Sequence, residues 1–352
     1  MTSIDAATPL AAATAKPASY GKVRRLDLDR AKGLGILLVV LGHLAAKSQP
    51  QGNDWFAYLQ TALYQFHMPF FMYLSGYVCY LSGAARAAPT AWPGLLKRRA
   101  ARLVVPFVIF GLALIAGKLA AARFIHVDNT PVSLPQALFG MIWDTDNSPA
   151  ISVWYIFVVF VLTILTPAVF WITRGRFVPL LLLAAVVYVL PVAHVMYLDR
   201  VARFFIFFSL GGAAAIMGNR WLEYVDRFYL AALAVLAVFL AVVLLEFDAI
   251  SDRTRLFMCG VASMPALHGL VRRSGLSHSG ALLTLGAMSF VIYLLNTPFI
   301  GLVKGILLKF MSWDGLNFLV FLPLMMVAGT LGPMLVKRYV FSRVPALDRI
   351  TD

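Results

Sequence analysis

The feature that most constrains this chain is the recurrence of long windows without charge. LAALAVLAVFLAVVLL, from Leu230 to Leu245, has no ionisable side chain. PLLLLAAVVYVLPVAHVMYL, from Pro179 to Leu198, has only His194. Each is long enough, or nearly so, to cross the roughly 30 Å hydrocarbon core of a bilayer as a helix. The short alternating strands of an outer-membrane barrel are absent. Of the 352 residues 61% are hydrophobic and only 13% charged, more apolar surface than a soluble fold of this length can hide. The expected fold is an all-α polytopic membrane protein. About ten transmembrane helices are expected, near 33–47, 57–81, 100–122, 151–171, 177–197, 201–218, 228–246, 256–271, 281–303 and 316–340.

The formal net charge of +14 would suit a nucleic-acid partner, but its distribution argues for a membrane address. With the N-terminus placed in the cytoplasm, most of the 30 Lys and Arg residues fall on the cytoplasmic side of ten crossings, whereas the 16 Asp and Glu residues divide nearly evenly. That asymmetry sets topology and predicts both termini inside. Residues 1–24 read as a disordered cytoplasmic segment, with no signal peptide evident. Residues 25–341 form the transmembrane domain, and 342–352 a short cytoplasmic tail. Cys79 and Cys259 read as small core residues and not as a disulfide. The loop from about Arg123 to Ala150 is either a plain connector or part of an acceptor site. No metal-ligand cluster, Walker loop or dinucleotide fingerprint is evident.

Polar side chains inside apolar helices are the candidate functional residues, because lipid penalises them. His43 is the sharpest, in KGLGILLVVLGHLAA, 11 residues and so about 16 Å along a helix beyond Lys32. It is either a proton acceptor near mid-membrane or a packing histidine. His67 lies in YQFHMPFFMYLSG, where Pro69 frees a backbone carbonyl and Ser75 follows; the segment is either bent toward a cavity or tightly packed. Arg98, Arg99 and Arg102 form a cationic mouth to the third helix, suited to phosphate or to anchoring on the cytoplasmic side. Asp29 and Lys32, three apart, share a helical face and either tune a nearby site or cap the helix, while Asp27 invites pairing with Arg25. Trp154 is either an interfacial anchor or a sugar-stacking ring. Tyr293 and Asn296 make one face of the ninth helix polar, for packing or for substrate.

These residues together resemble the membrane acyltransferase family 3, which includes bacterial O-antigen and capsule O-acetyltransferases, nodulation-factor acetyltransferases and the periplasmic-glucan succinyltransferase. Lys32, ten intervening residues and His43 resemble the family's signature. Asp29, Lys32 and LLVVLGH resemble its fucose 4-O-acetylase-like subgroup, as does FHMPFFMYLSG. The family's RxxR motif falls on Arg99 and Arg102, SVWYIF resembles the start of its fourth helix, and GAMSFVIYLLNTPF its late helix. One departure is Asn296, where many relatives carry histidine. Asparagine forms hydrogen bonds but cannot relay a proton near pH 7.

The resemblance implies a multi-pass protein of the bacterial inner membrane that moves an acyl group, most simply acetyl from acetyl-CoA, to a hydroxyl of a cell-envelope glycan or lipid-linked sugar. The acyl-CoA is a co-substrate, with no permanently bound cofactor. Arg99 and Arg102, flanked by Arg98, would meet the donor's phosphates. His43 would act as base, with Lys32 and Asp29 supporting the donor or the helix entrance. Ser75, Tyr293 and Asn296 would be candidates for the oxyanion, and His67 and Trp154 for substrate contact. Succinyl transfer to periplasmic glucan is a second reading. A non-catalytic transporter is a third, though it would want more deep charges than the chain carries.

Overall fold

A computed structural model describes residues 25–45, 49–131, 133–245 and 250–351. The expected disordered segment 1–24 lies outside these residues. All the regular structure among the described residues is helical. The helices are α1 (Leu26–Gly42), α2 (Asp54–Tyr64), α3 (His67–Leu81), α4 (Trp92–Arg99), α5 (Val105–Ala121), α6 (Leu134–Ile142), α7 (Trp154–Ile172) and α8 (Phe177–Val189). They continue with α9 (Leu198–Met217), α10 (Asn219–Leu244), α11 (Asp252–Arg273), α12 (Gly280–Ala287), α13 (Ser289–Leu307), α14 (Phe318–Tyr339) and α15 (Pro345–Ile350).

Among the described residues, six helical segments are long and apolar enough to cross a membrane: Pro89–Ala121, Ile151–Ile172, Leu198–Met217, Asn219–Leu244, Ser289–Leu307 and Gly315–Arg343. The other expected spans are shorter or more polar, and local chemistry explains the breaks. The second span divides at Gln65–Phe66 into α2 and α3. Pro69 cannot donate to the Gln65 carbonyl, and a fresh helix starting at His67 puts the proline in a first turn, where its missing N–H is not needed. The fifth stops at Val189 because Leu190 precedes Pro191 and takes an extended conformation (ψ 138°). The ninth divides at Met288 into α12 and α13. The loop after α5 carries α6, whose Ser133 cap accepts from the Gln136 N–H. The expected tail folds as α15, tied to α14 by Lys337 and Asp348 at 2.9 Å.

Two backbone-to-backbone contacts position the centre of the molecule. A Cβ on Gly76 of α3 would lie 1.9 Å from the Phe208 carbonyl oxygen of α9, and one on Gly211 would lie 2.0 Å from that of Tyr73. On the other side, a Cβ on Gly33 of α1 would lie 2.1 Å from the Leu282 oxygen, and one on Gly286 of α12 would lie 1.8 Å from that of Asp29. Small residues at these crossings bring helices to a distance that no side chain allows. They lock α3 to α9 and α1 to α12. Pro89–Ala121 stays helical through a π-turn at Ala100–Val104, just before Pro106, and this turn carries Arg102.

Candidate functional site

A cavity of about 510 Å³ runs between α1, α3, α7, the π-turn and α13. Asp29, Lys32, Arg99 and Arg102 line its basic end. Lys32 lies 3.5 Å from Asp29, the i,i+3 pairing that the spacing invites. Cys79 of α3 and Thr163 of α7 line the middle, and Val39, Met68, Ser75, Tyr155 and Tyr293 the far end. Of the residues singled out from the sequence, Asp29, Lys32, Ser75, Arg99, Arg102 and Tyr293 therefore share one cavity. Arg98 does not line it and is exposed.

His43 lies one turn beyond Val39, as the C-cap of α1 and not inside a longer helix. The expected run of α1 to 47 stops at Gly42, because Gln60 and Tyr64 take the carbonyls there. Gln60 Nε2 donates to the Gly42 and Ala45 oxygens at 2.7 and 2.6 Å, and the Tyr64 hydroxyl to Gly42 at 2.9 Å. Neither residue stood out in the sequence, although glutamine within an otherwise apolar stretch was a signal.

The imidazole meets α13. His43 Nδ1 lies 2.6 Å from Asn296 Oδ1. Asn296 is fully buried, and its Nδ2 donates to the Ile292 and Tyr293 carbonyls, each at 2.9 Å. With the amide nitrogen committed to two acceptors, Oδ1 is the atom that faces the imidazole. His43 therefore carries its proton on Nδ1, which makes Nε2 the nitrogen with the lone pair. His67 is 1% exposed, and its Nδ1 donates to the Leu63 carbonyl at 2.7 Å. Its Nε2 lies 4.0 Å from where a Cβ on Gly42 would stand, so the two histidines occupy one neighbourhood.

A second polar group closes the far end. Ser75 Oγ and the Tyr155 hydroxyl lie 2.6 Å apart, and the Tyr155 backbone N–H donates to the Tyr293 hydroxyl at 3.1 Å. In a mutual Ser75–Tyr155 pair one hydroxyl donates, which leaves the other's proton for a ligand. Tyr155 was not singled out beyond its place beside Trp154. Trp154 instead stacks on Phe204 at 5.1 Å, with the Arg200 guanidinium 4.9 Å from its ring, and does not line the cavity.

The structure also assembles groups that no local pattern announced. Asp27 does pair with Arg25 (2.8 Å), and it also meets Arg272 of α11 at 3.0 Å and the fully buried His268 at 3.3 Å. The other nitrogen of His268 bonds the Tyr73 hydroxyl at 2.7 Å, which accepts from Trp221, and Arg272 continues to Asp226. This network clamps the start of α1 to α3, α10 and α11, outside the cavity. Asp128, in the loop after α5, meets His126 at 3.1 Å and pairs with the buried Lys304 of α13 at 2.8 Å. Burial acts to raise the Asp128 carboxyl, but the Lys304 ammonium and His126 outweigh it and hold the carboxyl below its ordinary range. Asp146, His194 and Asp199 gather with ligand atoms within 4.8 Å of one another, a grouping the sequence spacing hides. Arg200 bonds Asp146 at 3.0 Å, which makes the group an ion-pair cluster.

The fold and this site define a multi-pass, helical membrane protein with a cavity reaching from a cationic mouth toward a half-buried histidine and its buried asparagine partner. The chain belongs to the membrane acyltransferase family 3: the family's profile, described as an acyltransferase domain, matches residues 25–338. It is similar to nodulation protein NolL of Sinorhizobium fredii, 32% identical over 125 residues, covering 34% of this chain and 32% of the relative. It is also similar to nodulation protein NolL of Mesorhizobium japonicum, 33% identical over 143 residues, covering 40% of this chain and 35% of the relative. These matches span about a third of each relative's length. No solved structure matches the chain.

Proposed function

We propose that the protein is an acyl-CoA-dependent O-acyltransferase of the bacterial inner membrane that moves an acetyl group to a hydroxyl of a cell-envelope glycan, with His43 as general base. The observation that carries this reading is the His43–Asn296 contact one helical turn beyond a cavity that opens at Arg99 and Arg102. The donor's diphosphate meets the two guanidinium groups. Its pantetheine arm follows the cavity past Cys79 toward Ser75 and Val39, and the 11 residues from Lys32 to His43 measure about 16 Å along α1, comparable to that arm extended. The acceptor hydroxyl approaches His43 from the other side.

The step then follows from protonation state. Asn296 holds the imidazole with Nε2 unprotonated and turned to the substrates, as a positioning residue. Nε2 takes the proton of the acceptor hydroxyl as its oxygen attacks the thioester carbonyl. The Ser75–Tyr155 pair donates to the oxyanion of the tetrahedral intermediate. Collapse breaks the C–S bond, the ester remains on the glycan, and the leaving thiolate takes the proton from His43. Asparagine suffices at 296 because the role is to accept one hydrogen bond and no proton passes through it. The work of Lys32 and Asp29 is to order the cavity mouth.

The test is mass analysis of envelope glycans from cells with and without the gene, and with His43→Ala at matched protein abundance. An acetyl-mass increment should disappear in the deletion and in the variant. Full acetylation by the His43 variant would sink the assignment. Arg102→Ala should raise the acyl-CoA concentration needed for half-maximal rate, and an unchanged dependence would remove Arg102 from the donor site.

A further inference from the structure

A second concavity, of about 730 Å³, opens at the turn that joins α7 to α8. It is lined by Arg86, Pro167, Phe170, Trp171 and Arg174. It lies next to the main cavity along α7, because Thr163 lines one and Pro167 the other, one helical turn apart on the same face. Trp171 is 60% exposed, yet its ring is held edge-on by Trp92 at 6.3 Å. Arg86 and Arg174 pair with no carboxylate among the described residues. Tyr80, whose ring packs edge-on against Phe170, has a buried hydroxyl with no hydrogen-bond partner among those residues.

An open indole face beside two unneutralised guanidinium groups is the chemistry that recognises a phosphorylated purine nucleoside. Aromatic rings stack on a base, and guanidinium forks grip phosphate. The location decides which one. Trp171 lies eight residues, or about 12 Å along α7, from Thr163, where the main cavity passes between α7 and the Arg99–Arg102 pair. α4 runs alongside, with Trp92 at the level of Trp171 and Arg99 nearer the cavity. A donor whose diphosphate rests on Arg99 and Arg102 has its nucleoside on this side.

We infer that the concavity at Arg86, Trp171 and Arg174 binds the adenosine 3′-phosphate of the acyl-CoA donor, with Trp171 stacking on adenine and the two arginines holding the 3′-phosphate. This rests on the acyl-CoA reading of the main cavity.

The experiment is calorimetric titration of the purified full chain, in nanodiscs of neutral lipid, with coenzyme A, 3′-dephospho-coenzyme A and 4′-phosphopantetheine. The wild type should bind coenzyme A about tenfold or more tighter than the dephospho form, the scale of one lost charge-assisted phosphate contact. Arg86→Ala/Arg174→Ala should erase that preference. Trp171→Ala should weaken both nucleotides about tenfold, and Trp171→Phe should restore most of the loss. 4′-Phosphopantetheine should bind all variants alike, which also shows that they are folded. Variants that bind coenzyme A like the wild type, while Arg102→Ala does not, would overturn the inference and leave the donor reading intact. No binding of coenzyme A by the wild type would overturn both. Loss of a co-purifying anionic phospholipid from the double variant, with coenzyme A affinity unchanged, would assign the concavity to a lipid headgroup and overturn it.

Discussion

Replacing Asn296 with alanine tests the reading where the structure is most specific. The side chain is fully buried, and its Oδ1 lies 2.6 Å from Nδ1 of the His43 ring. Its removal leaves the Nδ1–H unsatisfied at a half-buried site, a loss of about 1–3 kcal/mol. That is the free energy by which the productive tautomer and ring orientation are favoured over alternatives. With RT near 0.59 kcal/mol, the fraction of His43 presenting Nε2 as a base falls roughly 5- to 150-fold. The turnover number should fall by that factor, while the Michaelis constant for acyl-CoA, set at the arginine mouth, should not move. Asn296→His, whose neutral ring can accept the same bond, should recover the rate to within about tenfold of wild type. The assay is the initial rate of labelled acetyl transfer in membranes matched for protein, with thermal unfolding of the detergent-solubilised variants as the folding control. An Asn296→Ala protein that folds and turns over within twofold of wild type would refute the argument. So would one whose entire defect lies in the Michaelis constant.

Further outcomes follow from the packing and the charges. Gly286→Val should separate α1 from α12, because even a Cβ there would lie 1.8 Å from a backbone oxygen; the expected loss is about 1–3 kcal/mol of stability or more, read by thermal unfolding. Gly301→Ala, which adds a Cβ where nothing lies within 4 Å, is the control and should change little. Asp128→Asn should destabilise the protein at pH 7 by roughly 1.5–3 kcal/mol through the lost charge-assisted bond to Lys304. Because the folded carboxyl sits below its ordinary value, that contribution is fully present above the unfolded value, near 3.9, and fades as pH falls through the lower folded one. The wild-type advantage over Asp128→Asn should therefore be flat from pH 7 to 5 and shrink only in stronger acid. A difference that vanishes by pH 6 would assign the effect to another group.

How much of this was legible in the residues depended on whether the signal was local. Membrane residence and helicity were, because uncharged runs such as Leu230–Leu245 state their solvent directly. So were the Arg25–Asp27 and Asp29–Lys32 pairs, whose partners lie two and three residues apart. Family membership was legible in the order of its short motifs. The helix ends were legible only in part: Pro191 could have marked the end of α8, and Pro69 the start of α3.

The histidine and the asparagine could each be singled out as polar side chains in apolar helices, but not as a pair. Their 2.6 Å contact joins positions 253 apart and depends on how closely α1 settles against α12 and α13, which Gly33 and Gly286 set. The same holds for Asp128 with Lys304, for Asp27 with His268, and for the lining of both concavities. Composition determines that the chain dissolves in lipid, and periodic apolar stretches determine that it does so as helices. Which polar groups then face one another is decided by helix crossings, because a helix presents a different face every residue and only close packing selects one.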